Sequence, residues 1–325
     1  MRRRDFIAAL SAAASSCPVL AQQPTGAVIG YLSARSADTD KPMLAALREG
    51  LEETGFVEGT NLSIEFRWGE GQYERLPPMA IDLVRQQVGV IITGGGEVAA
   101  LAAKSATNSI PVVFNVGGDP LRSGLVLSLN RPGGNVTGVS SFLFTLGAKQ
   151  LDVLRHVVPS ANLIGILANP LDPGFESRVR DTQTAAASVG QRLLMLEAST
   201  EEAIDNAFSI CLKQGVGALA IMAGPFFVTR AALLIALAAK YHLPTMYFRR
   251  EFALAGGLMS YGSDTSEGYR QMGVYAGRIL KGASPADLPI VQPTRFSLVI
   301  NLQTAKALGL TIPPTLLARA DEVIE

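Results

Sequence analysis

The residues most suited to chemistry are three consecutive glycines, Gly94 to Gly96, in the stretch Val90–Ala99 (VIITGGGEVA). They lie between an apolar run and a helix-like segment. Glycines before a helix leave backbone amides open, and the helix dipole favours a negative or polar group at that end. The loop therefore predicts a site for a pyrophosphate, a carboxylate or a hydroxyl, with a purely structural tight turn as the alternative.

A nucleotide cofactor fits this loop poorly. A dinucleotide fingerprint places Gly-x-Gly-x-x-Gly after the first strand, with an acidic residue about 20 positions later. Here the glycines are contiguous and follow the third predicted strand, and the next apolar burst, Val112–Asn115, ends in an amide. A Gly-Lys-Ser/Thr phosphate loop is absent from the sequence. We therefore predict a ligand loop without a cofactor, in which Glu97 caps the helix dipole.

Patterns typical of catalysis and metal binding are also missing. The Gly-x-Ser-x-Gly elbow is broken at its second glycine in Gly138–Phe142, and neither His156 nor His242 follows a predicted strand. Asp119 and Glu251 are a candidate carboxylate pair, but glycoside chemistry needs more than two acids in one cleft. Two histidines and two cysteines form no metal-ligand cluster at a familiar spacing. The sequence therefore predicts neither an enzyme nor a metal site.

Candidate ligand-binding residues follow from where the predicted strands end. In open α/β sheets, ligands bind outside the carboxyl ends of the strands, where small polar and aromatic side chains form a pocket. Each such residue taken alone is equally well explained as a turn or a cap. The candidates, which lie at or just beyond predicted strand ends, are Ser33, Gly95, Gly96, Asn115, Gly117, Asp119, Ser141, Asn169, Phe226, Tyr247 and Glu251.

The composition is that of a folded protein with balanced charge. Of 325 residues, 48% are apolar and 17% are charged, with 28 basic and 28 acidic side chains. This supplies enough apolar material for one large domain or two lobes. A nucleic-acid partner requires a basic patch, which the sequence lacks, so we expect no such partner.

The first 21 residues have the features of an export signal: a charged start, an Ala-rich apolar middle and the small-residue exit Val19–Ala21. Arg3 to Ile7 (RRDFI) fits the twin-arginine pattern. We expect a signal peptide over residues 1–21, cleavage after Ala21 and a periplasmic mature chain with 25 basic and 27 acidic residues. A basic cytoplasmic N-terminus and a lipoprotein modified at Cys17 are the alternatives. The mature chain keeps only Cys211, so no internal disulfide is expected.

Short apolar bursts alternate with helical patterns, which predicts an α/β protein with largely parallel sheets. The alternation runs twice, from Ala27 to about Val139 and from about Leu163 to Phe248. Asn130–Ser141 is rich in Gly, Asn and Ser and suits a crossing between lobes, and Ala255–Asp264 suits a return crossing. We therefore predict two open-sheet lobes with a cleft between them. A single, unusually wide doubly wound sheet is the alternative.

Several stretches carry a family resemblance in combination. They are GLEETGFVEG at 50–59, FRWGEGQYERL at 66–76, GGDP at 117–120, SLNRPGGNVTG at 128–138, EFALAGGLMSYG at 251–262, YRQMGVYAGRILKG at 269–282 and the tail from Phe296 to Glu325. Together they resemble the ABC-transporter substrate-binding protein family, in the branch that includes tryptophan-type (TrpX-like) proteins. The likeness covers essentially all of the mature chain.

The resemblance implies the type I periplasmic binding protein fold: two Rossmann-like α/β lobes, three hinge crossings and a ligand clamped between the lobes. It implies an N-terminal lobe of residues 25–140 plus 262–282 and a C-terminal lobe of residues 141–261 plus 283–325. The implied partner is an ABC permease in the inner membrane, and we expect a monomer. A transferase-like cleft enzyme and a receptor that feeds a sensor are the alternative functions.

The charged side chains of the candidate cleft are few, which indicates a ligand with little net charge because burying unpaired charge is costly. We expect a small molecule with one carboxylate and an apolar or aromatic body, such as an amino acid or an aromatic acid. Its carboxylate would lie on the amides of Gly95 and Gly96. An amino group would meet Asp119 or Glu251, with Ser33 and Arg249 nearby.

Overall fold

The computed structural model describes residues 26–292 and 295–325. The predicted signal peptide, with its arginine pair, its cleavage site and Cys17, lies outside the described residues. Across those two ranges, no helix is both long enough and apolar enough to cross a membrane.

The first sheet has five parallel strands in the order β2-β1-β3-β4-β5. Its strand β3 is fully buried, because helices cover both faces of a parallel sheet. The register places Ser33 opposite Gly94, so that the first strand and the glycine loop end at the same level. The strands are β1 (Ala27–Ser33), β2 (Leu62–Trp68), β3 (Val90–Gly94), β4 (Val112–Val116) and β5 (Val136–Ser140).

The second sheet has seven strands in the order β12-β11-β10-β9-β8-β6-β7. All its neighbouring pairs are parallel except β10 and β11. The two sheets, each covered by helices, confirm the predicted α/β class. The strands are β6 (Leu163–Ala168), β7 (Arg192–Glu197), β8 (Ala218–Ile221), β9 (Thr245–Tyr247), β10 (Met259–Ser263), β11 (Phe296–Asn301) and β12 (Glu322–Ile324).

Helices connect most of the successive parallel strands, and several of them begin at a polar cap residue. Helix α1 starts after Ser36, whose side chain accepts from the Thr39 amide in a capping box. The helices are α1 (Ala37–Glu52), α2 (Leu76–Arg85), α3 (Glu97–Ala106), α4 (Gly147–Val157), α5 (Phe175–Ser188), α6 (Glu201–Gln214), α7 (Pro225–Val228), α8 (Ala231–Lys240), α9 (Arg250–Leu254), α10 (Thr265–Leu280), α11 (Leu302–Ala307) and α12 (Pro314–Leu317).

The chain passes between the sheets at three places. The first crossing follows Ser141, where Phe142 has a left-handed φ of 48°. The second crossing follows Ser263. The third follows Val291, which forms an isolated β-bridge with Val139 of β5, and it ends where β11 begins. Within Asn130–Ser141, the stretch expected to suit a crossing, residues 136–140 form β5, so the chain crosses only at the end of that stretch. Half of the predicted return crossing, Ala255–Asp264, is likewise occupied by β10.

Helix α10 follows a strand of the second sheet but packs on the first. It lies against α1, and two glycines permit this close approach. A Cβ atom at Gly50 would lie 1.9 Å from the carbonyl oxygen of Arg270, and one at Gly273 would lie 2.2 Å from that of Leu47. The backbones therefore approach too closely for any side chain at these positions. This docking carries the start of α10 to the space between the sheets.

Candidate ligand-binding cleft

A cleft lies between the two sheets, at the carboxyl ends of their strands. It contains about 620 Å³ of space between protein atoms, its open mouth included. Both sheets contribute to its wall, as does the start of α10 through Thr265 and Tyr269. Loops after parallel strands line such a space because the carboxyl ends of those strands meet at one edge of the sheet.

The lobes are closed over this cleft. The Tyr73 hydroxyl, between β2 and α2, donates to Asp172 Oδ1 of the second lobe at 2.6 Å and accepts from the Phe226 amide at 3.2 Å. Arg230 Nη1 donates to the Glu70 carbonyl oxygen across the same opening at 3.4 Å. These contacts join the two lobes directly.

The structure brings five of the predicted residues to the cleft wall: Gly95, Gly96, Asn115, Gly117 and Ser141. Gly95 and Gly96 have left-handed φ values of 78° and 86°, which only glycine adopts without strain. Across residues 26–292 and 295–325, neither of their amides donates a hydrogen bond to another protein group. The glycine loop therefore presents two open donors at the start of α3.

Two predicted residues at strand ends are used within the protein instead. Ser33 is fully buried, and its hydroxyl donates to Asp40 Oδ2 at 2.6 Å. The side-chain oxygen of Asn169 accepts from the Leu171 amide at 3.0 Å and so forms the turn after β6. Each shapes the loop that presents a neighbouring residue to the cleft.

The other four predicted residues lie away from the cleft wall. Phe226 and Tyr247 belong to the core of the second lobe, where Tyr247 stacks on Phe252 with ring centroids 4.7 Å apart. Asp119 accepts from the Leu121 amide at 2.9 Å and lines a neighbouring cavity. Glu251 is half-buried and pairs with Arg249. Proximity to a strand end did not reveal which way each side chain turns.

Arg35 forms the cationic wall on the first lobe. Its guanidinium donates to Asp40 and to the Tyr269 hydroxyl, and Asp40 also accepts from Tyr31 at 2.7 Å. Burial would lower the pKa of Arg35, but the adjacent Asp40 carboxylate outweighs it and raises that pKa. Arg35 is therefore held charged and rigid, and its Nη1 atom forms no hydrogen bond within the described part of the chain.

Arg249 faces the cleft from the second lobe. Its Nη2 atom donates to Glu251 at 3.1 Å and to Thr265 Oγ1 at 3.3 Å. Its Nη1 atom is buried without a hydrogen-bond partner among the described residues. Partial burial would raise the pKa of Glu251, but the Arg249 charge lowers it overall. A buried guanidinium nitrogen with no acceptor indicates room for an anionic ligand group.

Asp172 provides the acidic counterpart on the second lobe. Tyr73 holds its Oδ1 atom, whereas its Oδ2 atom is buried without a hydrogen-bond partner in the described ranges. Arg178 Nη1 lies 3.7 Å from that oxygen, beyond hydrogen-bond range. Burial raises the pKa of Asp172 to about 6, against the lowering effects of Arg178 and Tyr73.

Glu97, the first residue of α3, is a second acid at the cleft wall. It is 6% exposed, and within residues 26–292 and 295–325 it has no ion pair. Burial is the main cause that raises its pKa to about 7; Arg178 lowers it, and Asp172 and Asp119 raise it. The prediction that Glu97 only caps the helix dipole does not account for this buried, unpaired carboxyl group.

Apolar side chains from both lobes complete the cleft. Leu143 and Phe144 follow the first crossing, Val98 and Val116 come from the first lobe, and Phe248 comes from the second. The Arg178 guanidinium lies over the Phe144 ring, 3.7 Å from the ring centroid. Such a wall suits an apolar or aromatic ligand body.

The residues that the sequence analysis missed lie close to those it found. Arg35 is two positions beyond Ser33, Asp172 is three beyond Asn169, and Glu97 directly follows Gly96. Their charge within loops after strands was the available signal. Thr265 and Tyr269 had none, because only the packing of α10 on α1 brings them to the cleft.

The described residues gather no group of three or more His, Cys, Asp or Glu side chains around a metal-sized site. Cys211 is buried in the core of the second lobe, where burial raises the pKa of its thiol to about 11. The polar groups of the cleft are instead two arginines, two acids and the open amides of the glycine loop.

Comparison with known proteins gives a family match over nearly the whole described chain. A family model described as ABC transporter substrate binding protein matches residues 27–324. A tyrosine-binding protein from Clostridioides difficile is 25% identical over 279 residues, which covers 83% of this chain and 79% of the relative.

Two solved structures share both fold and sequence with this chain. An ABC domain from Streptococcus pneumoniae in complex with L-Trp is 26% identical with a TM-score of 0.81, covering 92% of this chain and 100% of the other. A conserved domain protein from Vibrio cholerae is 26% identical with a TM-score of 0.82, covering 91% and 99%. The match confirms the predicted fold of two open-sheet lobes.

Proposed function

Since the chain belongs to the ABC transporter substrate-binding protein family, we propose that its ligand is an amino acid with an aromatic side chain. Proteins of this family act outside the cytoplasm, where they bind a small solute and hand it to a membrane permease. The aromatic amino acid is the specific part of the proposal.

This proposal rests on two charged groups of the cleft, each with one buried atom that has no hydrogen-bond partner among the described residues. Among residues 26–292 and 295–325, Arg249 Nη1 has no acceptor and Asp172 Oδ2 has no donor, although both are buried at the wall of the same space. Buried polar groups without partners are costly, and native proteins contain few of them. A zwitterion supplies both missing partners at once, with its carboxylate toward Arg249 and its ammonium toward Asp172.

The remaining donors support the same orientation. Arg35 Nη1 and the open amides of Gly95 and Gly96 lie on the first lobe and add donors for a carboxylate. The expected ammonium partners, Asp119 and Glu251, are replaced by Asp172 in this proposal, because neither of them lies at the cleft wall.

The apolar wall supports an aromatic body. Leu143 and Phe144 are partly exposed and line the cleft together with Phe248, and all three belong to or pack against the core of the second lobe. The relatives agree with this chemistry, since one is named for tyrosine and another was solved with L-Trp. An aromatic side chain of either kind would bury its rings against this wall.

The lobe boundaries, the export route and the oligomeric state belong to the same proposal. We place residues 25–140 and the segment that starts after Ser263 in the first lobe, with the return to the second lobe after residue 291. The sequence pattern at Arg3 and Arg4 supports export through the twin-arginine pathway, and we propose that the mature protein is a monomer. Replacing both arginines with Lys would leave unprocessed precursor in the cytoplasm.

The direct test is a thermal-shift and calorimetric screen of the mature protein with the twenty amino acids, sugars and inorganic anions. We expect L-Trp or L-Tyr to stabilise it, by about 2.7 kcal/mol at a concentration of 100 times the dissociation constant. Mass spectrometry of the recovered ligand should show it unchanged. Stabilisation by sugars or inorganic anions without any effect of amino acids would refute the proposal, and turnover of the ligand would favour the cleft enzyme.

A further inference from the structure

Two carboxyl groups face the cleft from opposite lobes. Glu97 begins α3 on the first lobe, and Asp172 lies in the loop after β6 on the second. Each is 6% exposed, and the charge of Asp172 acts on Glu97. Closing the lobes therefore brings two acids into the same poorly solvated space.

The protein supplies less compensation to these acids than to its cleft arginines. Arg35 has Asp40, and Arg249 has Glu251, each as a direct ion pair. The nearest cation to Asp172 Oδ2 is Arg178 Nη1, at 3.7 Å, which is too far for a hydrogen bond. Glu97 has no ion pair in the described ranges. The acidic side of the closed cleft thus lacks one positive charge.

We propose that Glu97 and Asp172 form a two-lobe carboxylate pair that closes stably only around a cationic group, so that the ligand's ammonium triggers closure and determines specificity. This inference rests on the proposed amino-acid ligand. It assigns to Glu97 the task of rejecting molecules that share the aromatic body and the carboxylate but lack the amine. Rejection follows because such molecules leave two buried acids uncompensated.

The titration of Glu97 gives this mechanism a pH signature. Burial, with Asp172 and Asp119, raises its pKa from an ordinary 4.5 to about 7 in the closed form, against the lowering effect of Arg178 and Arg122. Protonation therefore favours closure: the advantage is complete below about pH 4.5 and is lost as the pH rises through about 7. A ligand without an amine should close the lobes by taking up a proton. A ligand with an amine should not need one.

The experiment compares L-tryptophan with indole-3-propionate, which lacks only the amino group. Calorimetry at pH 6 and pH 8 should show indole-3-propionate binding at least about tenfold more tightly at the lower pH, because Glu97 is then protonated in the closed form. Repeating the titration in two buffers of different ionisation enthalpy should reveal about 1.4 protons taken up at pH 6, roughly 0.9 by Glu97 and 0.5 by Asp172. L-Tryptophan affinity should change little over this range.

Glu97→Gln tests the residue itself. The variant should bind L-tryptophan more weakly and indole-3-propionate more tightly at pH 8, since a neutral amide needs no cation. Its pH dependence for indole-3-propionate should fall to about twofold, the part due to Asp172, whose pKa of about 6 also favours a proton in the closed form. Glu49→Gln, on the exposed face of α1, is the control and should behave as the unaltered protein.

The outcomes separate this inference from the proposed function. If no amino acid binds, the proposed function fails. If L-tryptophan binds but indole-3-propionate has equal affinity at pH 6 and pH 8, or binds neither the unaltered protein nor Glu97→Gln, the carboxylate-pair inference is overturned alone. The predicted pH dependence, its loss in Glu97→Gln and its persistence in Glu49→Gln would together support it.

Discussion

The cationic and acidic sides of the cleft differ in how the protein balances their charges. Arg35 is bound by Asp40 and Tyr269, and Arg249 is bound by Glu251 and Thr265. These networks neutralise the arginines whether or not a ligand is present. On the acidic side, Glu97 has no ion pair in the described residues, and its pKa is raised to about 7.

This difference in charge compensation indicates that the cationic side of the cleft is preorganised. A guanidinium fixed by its own counter-ion costs little further entropy when a carboxylate arrives, so it acts as a rigid platform. An acid without a counter-ion gains most when a cation arrives, so it responds to the ligand. We therefore expect changes on the cationic side to affect folding and changes on the acidic side to affect binding and closure.

The largest expected effect is that of Asp40→Asn. Asp40 is fully buried and accepts from Tyr31, Ser33 and Arg35, so the change leaves the Arg35 charge buried without its partner. Removing one partner of a buried pair typically costs about 3–5 kcal/mol. Chemical denaturation should show a loss of this size in the free energy of unfolding.

Asp38→Asn is the matched control for this prediction, because Asp38 is exposed in the same first turn of α1. It should change stability by less than about 0.5 kcal/mol. Glu97→Gln should cost no stability at pH 8, since it removes a buried charge with no counter-ion. A comparable loss for Asp40→Asn and Glu97→Gln would break the contrast between the two sides.

Tyr73→Phe should weaken closure rather than folding. Its hydroxyl joins the lobes by donating to Asp172 and accepting from the Phe226 amide. Removing a hydrogen bond to a charged group costs about 1.5–3 kcal/mol, or roughly 10- to 100-fold in the affinity for L-tryptophan. Small-angle scattering should show that the variant in the presence of L-tryptophan is less compact than the unaltered protein under the same conditions.

Tyr241→Phe provides the comparison, since the Tyr241 hydroxyl contacts Ser209 within the second lobe, at 3.2 Å. It should leave the affinity unchanged. If the two variants reduce the affinity equally, the hydroxyl of Tyr73 has no special role in joining the lobes.

The smallest effect is expected for Gly224→Ala, which sharpens the role of Asp172. Gly224 has an extended φ of −173°, so alanine fits the backbone. Its Cβ atom, however, would lie 2.3 Å from Asp172 Oδ2 and displace that carboxylate. We expect a loss of about 1 kcal/mol, or about fivefold in L-tryptophan affinity, measured by calorimetry. In an Asp172→Asn background the same change should have little further effect, and an undiminished loss there would argue against displacement of the carboxylate.

The fold was predictable because its signal is distributed over many residues. Apolar bursts such as Val90–Thr93 and Val112–Asn115, separated by helical patterns, predict a parallel sheet whatever the detail of any single loop. The crossing lies only at the end of Asn130–Ser141, because glycine and asparagine there serve the turn before β5. Turn composition marks an irregular segment but not the sheet in which the chain continues.

The site was predictable at the level of loops and not of side chains. The glycine loop reached the cleft as predicted, because left-handed glycines and a helix start are both encoded locally. Ser33 and Asn169 were preferred to Arg35 and Asp172, which lie two and three residues further on. In the turn after each strand, the predicted polar side chain forms a hydrogen bond within the protein, and its charged neighbour lines the cleft.

The sequence alone was sufficient for the family, the two rounds of α/β alternation and the strand ends that line the cleft, since these depend on periodicity and local backbone preferences. Which charged side chains contact each other depends on the tertiary structure. Arg35 and Tyr269 are 234 positions apart and contact each other because Gly50 and Gly273 allow α1 and α10 to pack closely. Glu97 and Asp172 oppose each other because the lobes close. The charge balance of the cleft depends on distance and burial, and the order of residues along the chain does not specify either.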